Sequence, residues 1–209
     1  MHKSHYITLF ISVLFSLLNL AKAQNYDTEI AIHRDTYKAN FLKDARSPLI
    51  ATDFEHLHFY PATKSFKVLA KVKALKKQKS FTMPTFDGTG KKFIRQYALT
   101  FQLNNQNYTL IAYKNLDLAT NPAYKDYLFI PFTDQSNGKE TYAGGRYMDV
   151  KAGDIDKKTI WLDFNKAYNP YCAYSDGYRC PIPPAENDLV TIISAGEKNY
   201  TGTKKKANN

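Results

Sequence analysis

The sequence predicts a mainly β protein. It reads as a single antiparallel β domain, with a curved sheet that is barrel-like or a sandwich and an N-terminal amphipathic helix. Three observations carry this reading. Short runs after His58 alternate with period two, turn residues separate those runs, and a helical period appears only near the start. The 16 tyrosines and 13 phenylalanines agree, because aromatic side chains suit a pleated, half-buried surface.

Residues 1–23 read as an export signal. A polar start carrying Lys3 precedes the apolar run Ile7 to Leu20, and Ala21-Lys22-Ala23 is a small-x-small cleavage site. The run is shorter than the roughly 20 apolar residues that span a bilayer, and Thr8, Ser12, Ser16 and Asn19 interrupt it. The expectation is an exported chain, periplasmic or secreted. It starts near Gln24, forms one β-rich domain over 24–209, and has no integral membrane segment after signal cleavage. Outside the cytoplasm a disulfide is permitted.

From Asn25 to Lys43 the pattern is helical, with Ile30, Ala31, Tyr37, Phe41 and Leu42 near one face and charged residues on the rest. Ser47-Pro48 ends it, since a residue before proline is pushed out of the α region. A turn or short helix follows over Ala51 to Leu57. Ser65 to Leu75 then alternates Phe66, Val68, Ala70 and Val72 against a lysine-bearing face, which predicts a strand. Ser80 to Thr85 is a second, and Asp87-Gly88-Thr89-Gly90 a turn. Phe93 to Leu103 and Gln106 to Tyr113 form a hairpin over Asn104-Asn105, because asparagine tolerates positive φ. Tyr127 to Phe132 reads as a central apolar strand. Tyr147 to Val150, Thr159 to Phe164 and Leu189 to Ile193 complete about eight.

The net charge of +10 is concentrated in the lysines between Lys64 and Lys79 and in the tail Lys204-Lys205-Lys206. Lysine without interleaved arginine reads phosphate poorly, so no nucleic-acid partner is expected. A solvated strand face accounts for the stretch, with weak attraction to anionic lipid or glycan as the alternative.

Candidate chemistry lies in two polar segments and one loop. In the first segment, Asp134 closes an apolar strand, Tyr142 precedes Gly144-Gly145, and the Arg146 fork can hold Asp134, Asp163 or Glu186. That arginine faces either an anionic ligand or a buried ion partner. In the second, Asp163 and Asn165 point together on a strand or cap the turn that follows. The loop from Asn169 to Asn187 holds Cys172, Cys180, Pro170, Pro181, Pro183 and Pro184, a stiff irregular path suited to a clasp or the rim of a site. The two cysteines are read as a disulfide, worth about 2.5 kcal/mol on the chain-entropy estimate. His56, His58 and the cysteines lack zinc spacing, so no metal and no cofactor are expected. A nucleophile elbow and a Gly-rich nucleotide loop are also missing.

Several motifs together resemble a known family. They are Pro131-Phe132-Thr133-Asp134, the run Gly138 to Tyr147, Asp163-Phe164-Asn165, Tyr168-Asn169-Pro170 and Cys172-Ala173-Tyr174. Cys180-Pro181-Ile182-Pro183-Pro184, Glu186-Asn187 and Ala195-Gly196-Glu197-Lys198 continue them, with Arg46-Ser47-Pro48-Leu49 and Phe59-Tyr60-Pro61 upstream. They are similar to those of the uncharacterised bacterial family called domain of unknown function 1684. The resemblance implies one compact domain and no activity.

The functional expectation is a small-molecule or glycan binding domain of the cell envelope. Its site draws on Asp134, Tyr142, Arg146, Asp163, Asn165, Asn169, Glu186 and Asn187. One alternative is a hydrolase-like enzyme using a carboxylate and Arg146; another is a structural envelope protein with no ligand.

Overall fold

The computed structural model describes residues 25–206. The expected export signal lies outside the described residues. Helix α1 occupies residues 25–43. Tyr26, Ile30 and Phe41 are its buried positions, the spacing that puts apolar side chains on one helical face. Leu42, expected beside them, is turned about 100° away from Phe41 by the helical period and is exposed.

Eight strands follow: β1 (Lys67–Ala74), β2 (Phe81–Pro84), β3 (Gly90–Leu103), β4 (Gln106–Asn115), β5 (Tyr127–Asp134), β6 (Arg146–Lys151), β7 (Thr159–Asp163) and β8 (Asp188–Leu189). They form one sheet in the order β6-β5-β4-β3-β1-β7, with β2 beside β3 and β8 beside β5. All pairings are antiparallel except β5 with β8. The sheet curls into a half-barrel, so the sandwich alternative falls away. Leu189 to Ile193, expected as a strand, pairs only at its start.

Strand β3 is long enough to carry both β1 and β2 on one edge. A bulge between Arg95 and Tyr97 marks the change of partner, since an extra residue bends a strand and raises its twist. The turn into β4 uses Asn104 and Asn105 with φ of 50° and 61°, the left-handed geometry that asparagine accepts. The inner face of the sheet buries Val68, Ala70, Leu99, Leu110, Ile130 and Leu162 among others. The outer face of β2–β6 carries a second cluster of Met83, Phe93, Tyr113, Phe129 and Tyr147. Strand β5 is thus covered on both faces, which is why its sequence is a continuous apolar run.

Pro131 has no N–H to donate, and β4 pairs with β5 at only one position, Tyr113 with Phe129. The side chain of Asn187 fills the gap. Its Nδ2 donates to Ile111 O at 2.9 Å and Pro131 O at 2.7 Å, and its Oδ1 accepts from Ile111 N at 2.7 Å. One carboxamide therefore behaves as a strand fragment between two strands.

The segment 193–197 closes the fold against the turn after β7. Gly196 has φ +79°, and a Cβ there would stand 2.7 Å from the carbonyl oxygens of Phe164 and Ala167. Gly196→Ala is expected to lower stability by about 1–3 kcal/mol or more, through backbone strain plus that clash, as read by urea denaturation.

Candidate functional site

Arg146 is fully buried at the start of β6. Its Nη2 donates to Asp134 Oδ2 at 2.7 Å and to Ile193 O at 2.9 Å, and its Nη1 donates to Glu197 O at 3.2 Å and to Ala195 O. Asp134 Oδ1 accepts from Ser136 N at 2.9 Å and Ile193 N at 3.2 Å. A single nitrogen reaches the carboxylate, so the expected bidentate pairing is replaced by a guanidinium spread over three carbonyls. Both side chains are fully enclosed, so the pair cannot receive a ligand. It is a structural clasp.

Glu197 is a second buried hub. Its Oε1 accepts from Tyr174 OH at 2.6 Å, and its Oε2 from Tyr37 OH at 3.0 Å and Asn169 N at 2.9 Å. Desolvation raises its carboxyl to about 7, against the opposing pull of those donors. Asn169, expected at the site, is buried here and ties Lys198 O with its Nδ2 at 2.8 Å.

The remaining expected residues are dispersed. Asp163 Oδ1 accepts from Asn165 N at 3.1 Å, Asn165 Nδ2 at 2.9 Å and Tyr26 OH at 2.9 Å. Asn165 also pairs with the Thr63 backbone in both directions. This is the capped turn, because β7 ends at Asp163 before Asn165 can share a strand face. Glu186 pairs with Arg95 Nε at 2.7 Å and accepts from Tyr113 OH at 2.5 Å, away from Arg146. Tyr142 lines a small cavity of about 310 Å³ with Phe86 and Cys172. The eight residues therefore do not converge on one pocket.

A larger opening lies elsewhere. A cleft of about 680 Å³ sits on the outer face of β5 and β6, walled by the proline-and-cysteine loop. Phe93, Phe129, Tyr147 and Tyr168 form its floor. Phe93 and Phe129 stack at 5.7 Å, and Tyr147 meets both Phe129 and Tyr168 edge-on. Tyr171 and Tyr178 stand at one side, with Arg46, Lys91 and Arg179 at the rim. Among the described residues the Lys91 ammonium makes no ion pair. Strand alternation explains the floor: Phe129 and Tyr147 occupy odd positions that face outward, while Leu128, Ile130 and Met148 face the core. Tyr147 OH donates to Pro181 O, and Phe86 N donates to Cys180 O at 3.0 Å, fixing the loop as the cleft's wall.

Asp149, overlooked in the sequence, sits behind this floor. It accepts from Tyr127 OH and Tyr168 OH, each at 2.8 Å. It also lines a second cavity of about 620 Å³ in the seam where α1 passes β6 and β7, and Tyr168 and Tyr171 line both openings. Its side chain keeps surface open to the seam, yet the protein packed around it holds the carboxyl above the ordinary range while the two phenols pull it down. The signal was present: Tyr147 and Asp149 are two apart on one strand, so an acid was placed on the aromatic face.

Cys172 and Cys180 are free, buried thiols, so the expected bridge is not formed in this structure. Cys172 Sγ instead donates to Tyr178 O at 3.1 Å, and Cys180 Sγ accepts from Cys172 N at 3.2 Å. Hydrogen bonding between the thiols pulls Cys172 down to about 7 and pushes Cys180 up. Among the described residues no group of three His, Cys, Asp or Glu could hold a metal ion, and no helix is long and apolar enough to cross a membrane.

Two outcomes follow from the buried hubs. Arg146→Met is expected to cost about 3–5 kcal/mol in urea denaturation, with Arg146→Lys recovering only part, because an ammonium lacks the planar fork. Glu197 has a raised folded pKa, so the native state holds its proton more tightly than the unfolded chain. Its contribution is full below the unfolded value near 4.5 and is lost as pH rises through about 7. Stability should therefore fall across that window, and Glu197→Gln should flatten the fall in melting curves taken over pH.

An uncharacterised protein of Haloarcula marismortui, solved by solution NMR, is similar in structure with a TM-score of 0.65. It is 30% identical, and the match covers 85% of this chain and 96% of that one. No curated protein matches the chain. The family described as "Protein of unknown function (DUF1684)" matches residues 52–198, a span that takes in all eight strands, the Arg146 clasp and the cleft's loop wall. The chain belongs to that family.

Proposed function

We propose that the protein is an exported binding domain of the cell envelope whose outer cleft takes a small molecule or glycan with a flat apolar face and a negative charge. The observation that carries this is the cleft itself: an open space of about 680 Å³ floored by aromatic rings and rimmed by Arg46, Lys91 and Arg179. Aromatic faces pack against sugar rings and planar organic groups, and cations beside them select anions. The site differs from the one expected around Arg146.

A thermal-shift screen of aromatic carboxylates and acidic sugars, each against its neutral analogue, tests the reading. Anionic compounds should raise the melting temperature. Lys91→Ala should abolish most of that rise while leaving the unliganded melting temperature in place, because the Lys91 ammonium makes no ion pair among the described residues. No shift with any anion, or shifts indifferent to Lys91→Ala, would leave a structural envelope protein as the better reading.

Export also bears on the thiols. In an oxidising compartment the adjacent Cys172 and Cys180 are expected to form the bridge and stiffen the cleft wall. Mass spectrometry of protein taken from the periplasm should then show a chain lighter by the hydrogens lost on oxidation. Alkylation of both thiols without prior reduction would defeat the assignment.

A hydrolase-like reading moves from Arg146, which is enclosed, to Asp149, whose raised carboxyl is held by the Tyr127 and Tyr168 phenols and lines the seam. A screened compound consumed by the native protein but not by Asp149→Asn would favour it.

A further inference from the structure

We propose that the outer face of β1 and β7 docks on an anionic lipid bilayer. The register places Leu69 directly opposite Trp161, with Lys67 and Lys71 two positions to either side of Leu69 and Lys73 beyond. The core-facing positions of these strands are taken by Val68, Ala70, Ile160 and Leu162. Leu69 and Trp161 therefore point outward, and they are 49% and 57% exposed. A large indole and a leucine stand side by side, about half exposed among the described residues, with Lys67, Lys71 and Lys73 along the same face of β1. Lys71 and Lys73 are exposed and make no ion pair among the described residues. Lys157 and Lys158 form the exposed turn that leads into β7.

Among the nearby acids Glu29 and Asp163 are engaged, while Asp154 lines the seam at the helix side of Trp161, away from Lys71 and Lys73 in sequence register. Glu29 holds Lys67 and Lys166, and Asp163 is bound by Tyr26 and Asn165. Asp156 lies in the turn before β7, where its backbone pairs with Thr159.

This combination suits the interface of a membrane. Tryptophan settles at headgroup depth, where its ring is apolar and its N–H wet, and lysines around it meet anionic headgroups. Neither contribution alone anchors a protein; together they give reversible binding. A second copy of the chain fits the face less well, because the two lysine rows would meet like charge to like charge. The lysine face that the sequence shows between Lys64 and Lys79 thereby acquires a role, independent of the cleft.

Trp161 is the only tryptophan in the chain, so its fluorescence reports on this face alone. The chain from Gln24 onward contains every residue of the described fold and omits the apolar leader. Mixed with phosphatidylglycerol vesicles, it should show a blue-shifted Trp161 emission quenched by brominated acyl chains. Phosphatidylcholine vesicles should give neither effect, and roughly 0.5 M salt should release the protein, since the Debye length there is only a few ångströms. Lys71→Gln with Lys73→Gln should weaken partitioning about thirtyfold. Trp161→Phe, read by co-sedimentation, should weaken it while the melting temperature stays unchanged. Emission unmoved by phosphatidylglycerol, equal quenching in phosphatidylcholine, or partitioning indifferent to the lysine changes would overturn the proposal. A concentration-dependent dimer that shields Trp161 without lipid would also overturn it, and would assign the face to a second copy.

Discussion

The guanidinium of Arg146 is the interaction on which the last third of the fold depends. A charge so enclosed is tolerable only when nearly every lone pair and proton around it is matched. Here the matching consists of Asp134 on β5 and three carbonyls of the segment 193–197. Those carbonyls belong to a stretch outside the eight strands, bridged to Phe59 only at Glu197, so the arginine takes the place of most of the ladder that would otherwise satisfy it. Holding that stretch also sets Gly196 against the turn after β7 and brings Glu197 under Tyr37 and Tyr174. Helix α1 is thus tied to the sheet through a carboxyl whose own position Arg146 dictates.

Much of the fold was legible because the sheet is two-faced. Alternation in β1, β3 and β4 states which side meets the core, and the unbroken apolar run of β5 states that both sides do. Asn104-Asn105 announces its turn. The bulge in β3 was not legible, since nothing in Arg95-Gln96-Tyr97 distinguishes a change of partner from a continuing strand. The Asn187 bridge was hidden for a similar reason. Its cause is the missing N–H of Pro131, which lies 56 residues away and matters only once β4 and β5 are neighbours.

The candidate site was less legible than the fold. Polar residues close together in sequence were read as a site, and most of them proved to satisfy the backbone: Asp163 and Asn165 cap a turn, Asn169 and Asn187 splice segments together, and Asp134 neutralises Arg146. A buried side chain that bonds backbone and one that bonds substrate use the same chemistry, so residue type alone cannot separate them. The aromatic floor gave no motif because its members come from β3, β5, β6 and the loop after β7, and only folding collects them. The proline-and-cysteine loop was the better guide, since its stiffness had to serve either a clasp or a rim.

The loop serves as rim because the clasp lies beneath it. With Arg146 locking β5, β6 and the closing segment, the cleft floor cannot shift without breaking buried polar bonds, each costly in a low-dielectric interior. A floor fixed in that way loses little entropy when a ligand settles on it, so even a few aromatic contacts and rim charges can show as affinity. The rim itself is lighter. Tyr178 reaches Arg46 O at 2.6 Å, and Arg179 reaches Thr89 at 3.0 Å, both at exposed positions that water can replace. On the proposed reading, a rigid aromatic base under an adjustable cationic edge would select charge first and shape second. In that reading Asp149 would mark its inner limit, because the carboxyl held by Tyr127 and Tyr168 lies where an anion would have to pass from the floor into the seam.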